Sequence, residues 1–88
     1  MTQHIEFSGS ASLVCILGSW DGFAKVIPLG FDFSTGIHSL RLILAKGSHY
    51  FRFVVVNGAE IAECTSNHCV WPVEDDESGI ASHVIEVK

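Results

Sequence analysis

The chain has little positive charge. Five Lys and Arg stand against ten Asp and Glu in 88 residues, a formal net charge of −5. Phosphate-backbone binding needs clustered Lys and Arg, and these five are scattered, which argues against nucleic acid as a partner. The same deficit argues against an anionic membrane surface. Long apolar runs are missing too; none approaches the roughly 20 residues of a spanning helix. The N-terminus, Met1-Thr2-Gln3-His4-Ile5-Glu6, lacks the basic and apolar regions of a secretory signal. Three cysteines without such a signal fit a reducing compartment and free thiols, so the expected location is cytoplasmic.

Signatures of catalysis are also lacking. There is no Gly-x-Ser-x-Gly elbow, phosphate loop or dinucleotide fingerprint. The five histidines, at 4, 38, 49, 68 and 83, fall at no metal-ligand spacing. Cys64, His68 and Cys69 offer only three ligands, without Cys-x-x-Cys or His-x3-His spacing, and read as two free thiols in a loop. The expectation is a chain that is not an enzyme and holds no metal or cofactor.

What is present is apolar residues, 48 % of the chain against 17 % charged, enough for one folded domain over residues 1–88. The period is that of strands. Residues 4–7, 12–17, 39–44, 50–56, 59–63 and 83–87 are alternating or short apolar runs. Asn57-Gly58 between two of them is a strong hairpin signal. No window carries a helical stripe. Several short strands divided by glycines predict an all-β sandwich or small barrel. The acidic run Glu74-Asp75-Asp76-Glu77 reads as a solvated loop.

Four segments carry a resemblance. They are Gly18-Ser19-Trp20-Asp21-Gly22-Phe23-Ala24-Lys25-Val26-Ile27-Pro28-Leu29, Lys46-Gly47-Ser48-His49-Tyr50-Phe51-Arg52-Phe53-Val54-Val55, Asn57-Gly58, and Val73-Glu74-Asp75-Asp76-Glu77-Ser78-Gly79 running into Val84-Ile85-Glu86-Val87. In order and spacing they resemble the glycogen-binding domain of the AMP-activated protein kinase β subunit, within the family-48 carbohydrate-binding modules. The resemblance implies an immunoglobulin-like β-sandwich of the early-set type, about seven strands, with Tyr50, Phe51 and Phe53 supplying much of the core.

An α-glucan presents a C–H ring face, which lies on an aromatic, and an edge of hydroxyls, which bonds to polar groups. The family carries an aromatic after Gly-Ser and a stacking Trp three residues later; here those positions hold Trp20 and Phe23. Phe23 inherits the stacking position. Trp20 reads two ways, as core edge or as binding surface. The family's basic residue falls on Arg52, which alternates with Phe51 and Phe53 and so is expected to face solvent. The second stacking Trp, after the hairpin, is replaced by Ala59-Glu60-Ile61. The Asn pair before the last strand becomes Ser82-His83, which leaves Ser82 as heir to a polar contact. Trp71, in the long loop 63–71, supplies a substitute platform or plugs the end of the sandwich. The implied function is non-catalytic binding of glycogen, starch or maltooligosaccharide that tethers or regulates a larger protein or kinase complex. The alternative is a protein-interaction or scaffolding domain on the same fold with a degenerate sugar site.

Overall fold

The alternation along the chain becomes nine strands in the computed structural model, which describes residues 2–9, 11–66 and 69–88. They are β1 (Thr2–Ser8), β2 (Leu13–Gly18), β3 (Val26–Pro28), β4 (Gly30–Asp32), β5 (Ile37–Ile43), β6 (Gly47–Asn57), β7 (Glu60–Cys64), β8 (Val73–Asp75) and β9 (Ala81–Val87). One sheet runs β1-β5-β4; the other runs β3-β2-β6-β9-β8, with β7 also paired to β6. Every pairing is antiparallel. The two sheets form an immunoglobulin-like sandwich. Six of these strands are legible as runs in the sequence; β3, β4 and β8 have three residues each, too few to show a period.

The core follows from the pleat. On β6, Phe51 and Phe53 point inward and are fully buried with Ile5, Val14, Ile16 and Ile85. Each such ring contributes roughly 1.5–3 kcal/mol by burial. Tyr50, expected in the core with them, is only half-buried. It stands on the opposite side of the pleat, one residue from Phe51. The Asn57-Gly58 signal does end β6: Asn57 pairs with Glu60, and Gly58 takes the positive φ of 64° in the turn between them.

β6 is longer than its partners on one edge. β9 pairs with Gly47 to Phe51 and β7 with Phe53 to Asn57. The change of partner falls at Arg52, and this junction opens a place for its side chain.

Gly18 closes β2 against Trp20. A Cβ at Gly18 would run into the indole, which packs on the core. Gly18→Ala should therefore cost about 1–3 kcal/mol through overpacking. Chemical denaturation measures this, and unchanged stability would mean that the indole swings aside freely.

His83 is fully buried and stacked on Phe51 at 5.1 Å. One ring nitrogen, Nδ1, lies 2.8 Å from the Trp71 carbonyl, and the other, Nε2, accepts the Ser66 N–H at 3.0 Å. This pairing requires a neutral ring with its proton on Nδ1. Burial pushes the His83 pKa down, against a smaller upward pull from the Trp71 carbonyl. The native state thus binds the proton less readily than the unfolded chain. Its contribution to stability is complete above the unfolded pKa of about 6.5 and declines as pH falls below it. The thermal midpoint should drop as pH falls from about 7 to about 5, and a flat profile would contradict this role.

The three cysteines are free thiols. Cys64 and Cys69 pack against the core rather than standing in an open loop, and burial raises the pKa of all three. Deprotonation, and with it thiolate chemistry, is suppressed. No group of three metal-ligating side chains gathers among the described residues; His68 lies outside them.

Candidate functional site

After β2 the chain makes one 3-10 turn, Ser19–Asp21. Gly22 N–H donates to the Ser19 carbonyl and Phe23 N–H to the Gly18 carbonyl. Both Gly22 (φ 69°) and Phe23 (φ 60°) are left-handed, and Phe23 is the only non-glycine with positive φ among the described residues. That conformation costs a non-glycine residue roughly 1–2 kcal/mol, so the surroundings must hold it there.

Arg52 does much of the holding. Its guanidinium carbon sits 4.6 Å from the centre of the Phe23 ring. Its Nη1 donates to Asp76 Oδ2 at 3.0 Å and Ser82 Oγ at 3.2 Å, and its Nε to Glu63 Oε1 at 3.3 Å. The expectation that Arg52 faces open solvent is corrected here: its side chain is 11 % exposed and that of Asp76 6 %. Alternation does put Arg52 on the outer side of the sheet, but the loop after β8 closes over it.

Asp76 organises that loop. Its Oδ1 accepts the N–H groups of Ser78 and Ile80 at 2.8 and 3.1 Å, while Oδ2 takes Arg52. Desolvation, the largest influence, pushes its carboxyl up. The Ile80 and Ser78 amides, the Arg52 charge and the Ser82 hydroxyl outweigh it and hold the pKa below the usual carboxylate value. The acidic run is thus not uniformly a solvated loop. Glu74 and Asp75 lie in β8, and Asp76 turns inward. Nothing in a run of four acids singled out Asp76 except the Asp76-Glu77-Ser78-Gly79 pattern, which favours an Asx turn.

The result is a cleft of about 460 Å³ edged by Phe23 and Tyr50. Ser19, Ser48 and Ser78 supply polar groups to its wall, and Asp76 and Glu77 supply carboxylates. Ser19 Oγ accepts the Tyr50 N–H at 2.9 Å, tying the first loop to β6. An aromatic pair beside hydroxyls and carboxylates suits a neutral polyhydroxylated ligand.

The structure brings three of the five sequence-derived residues together: Phe23, Arg52 and Ser82. Ser82 is fully buried and reaches the cleft only through Arg52 and Asp76. Trp20 does not line the cleft; it packs on the core with its ring 6.4 Å from Phe51 and its Nε1 buried without a partner, as at a core edge. Trp71 lies elsewhere. Its Nε1 donates to the His4 carbonyl at 3.1 Å, and it lines a separate groove with His4, Glu6 and Val70. Tyr50, Ser48 and Asp76 also line the cleft, although the resemblance assigns none of them a sugar contact.

Residues 1–88 match the family model described as the glycogen recognition site of AMP-activated protein kinase. No curated protein matches the chain in sequence.

Proposed function

Because the chain belongs to the glycogen-recognition family of AMP-activated protein kinase, we propose that it binds α-glucan through the Phe23 cleft and tethers a larger protein, of the kinase-complex kind, to glycogen or starch. It does so without catalysis, in the cytoplasm. The observation that carries this reading is Phe23: a ring held in a costly backbone conformation, backed by a guanidinium that is largely covered, at the edge of a polar cleft. Strain of this kind persists where a side chain must be presented. Glucose rings would stack on Phe23 and Tyr50, and the surrounding serines and carboxylates would take the hydroxyls. Arg52 and Ser82 position the platform.

The test is co-sedimentation with glycogen. The chain should pellet with the polymer and be released by excess maltoheptaose. A chain that stays in the supernatant at all glycogen concentrations would reject the reading.

One observation favours the scaffolding alternative. Leu13, Val56 and Ile61 form an apolar row across β2, β6 and β7, with Leu13 and Ile61 exposed. Failure to pellet with glycogen, together with co-purification of a protein partner lost on Ile61→Glu, would replace the first reading with this one.

A further inference from the structure

The most exposed large apolar side chain in the described structure is not at the Phe23 cleft. Phe33 is 92 % exposed, directly after β4. Its ring meets that of Phe31, itself 43 % exposed, edge to face at 4.9 Å. Phe31 packs beside its cross-strand partner, buried His38 on β5, with ring centroids 4.6 Å apart. Beside Phe31 opens a second cleft of about 590 Å³, lined by Gly9, Ala11, Ser12, Phe31, Gly36 and Asn57.

This cleft is remote from the first. Ser12 and Ser19 lie just beyond opposite ends of β2, and Ser48 and Asn57 lie at opposite ends of β6. At roughly 3.3 Å per residue, the two clefts are about 23–30 Å apart. Its chemistry also differs, since none of its lining residues is charged, whereas Asp76 and Glu77 line the first. Phe31 stands beside a hydroxyl, a carboxamide and glycine backbone, and Phe33 extends its aromatic surface outside the cleft; this matches a neutral sugar chain better than a charged peptide.

We infer that Phe31 and Phe33 form a second α-glucan platform at the opposite end of the sandwich. The inference rests on the reading of the module as a glucan binder. Two platforms this far apart engage separate outer chains of one branched glycogen particle, so the second contact is intramolecular and raises avidity without tightening either site.

The experiment is fluorine NMR of the chain carrying 4-fluorophenylalanine, titrated with maltoheptaose, with resonances assigned by single Phe→Leu variants. Phe23 and the Phe31–Phe33 pair should both shift. Phe33→Ala, at a site too exposed to disturb the core, should lower glycogen retention by about tenfold or more. It should leave the maltoheptaose affinity read at Phe23 unchanged. A shift at Phe23 alone overturns the second platform and leaves the proposed function standing. A shift at Phe31 and Phe33 alone supports the second platform and removes the role of Phe23. No shift at either place overturns both.

Discussion

Phe23→Ala should cut retention on a glycogen or amylose matrix by about thirtyfold or more while the fold survives. One face of a phenylalanine ring removes on the order of 80–100 Å² from water when a sugar lies on it, roughly 2 kcal/mol. That equals a factor of about 30 in affinity. A shallow site binding near 1 mM, about −4 kcal/mol, has no such margin and would drop to tens of millimolar. The backbone supplies an independent check. Phe23 is left-handed, and alanine there keeps the steric penalty of a Cβ, whereas glycine does not. Phe23→Gly should therefore lose binding as completely as Phe23→Ala yet be more stable by about 1 kcal/mol. An alanine variant equal in stability to the glycine variant would show that Phe23 is not held under strain, and wild-type retention by either would remove the ring from the site.

The second large effect is expected at Asp76. Asp76→Ala takes away the acceptor for Arg52 and for two backbone amides of the loop beside the cleft. It leaves a guanidinium that is 11 % exposed with only Glu63 as charged partner. Removing one member of a desolvated pair is more damaging than removing both. Arg52→Leu and Asp76→Ala should each lower the thermal midpoint and cut glucan retention strongly, and the double variant should be no worse than the more damaging single. Arg52→Lys is not a conservative rescue, because an ammonium cannot hold two acceptors in a planar fork while covering the Phe23 ring. Strict additivity of the two single variants, in stability and in retention, would mean that Asp76 and Arg52 act apart and that Asp76 does not position the platform.

These residues also show where reading the chain alone succeeds and where it stops. The run 50–56 alternates at period two and ends on Asn57-Gly58; such local signals suffice for β6 and its hairpin. They place Arg52 on the opposite side of the strand from Phe51 and Phe53, which is correct. They do not reveal what covers that side. The Arg52 partner Asp76 is 24 residues away, in a run of four acids that look alike in sequence until Asp76 Oδ1 captures the amides of Ser78 and Ile80. Spacing gives Phe23 the stacking position but leaves Trp20 open between core edge and binding surface. The structure separates them by a contact no spacing encodes: Gly18 has no Cβ, so the indole folds back over it onto the core, while the left-handed Gly22-Phe23 pair sends the next ring to the cleft. The resemblance makes Ser82 the expected heir to a polar contact, but β9 buries it beneath Arg52. Trp71, lacking any pattern beyond its place in a long loop, is tied to β1 instead.

The direct measurement is an amide NMR titration of the intact chain with β-cyclodextrin and maltoheptaose. Saturable shifts at Phe23, Tyr50 and Ser78, with the Arg52 side-chain N–H signal moving in step, are the expected result. The account would be contradicted by shifts centred on Trp71 without the Phe23 group, or by none at ligand concentrations several times a Kd of about 1 mM.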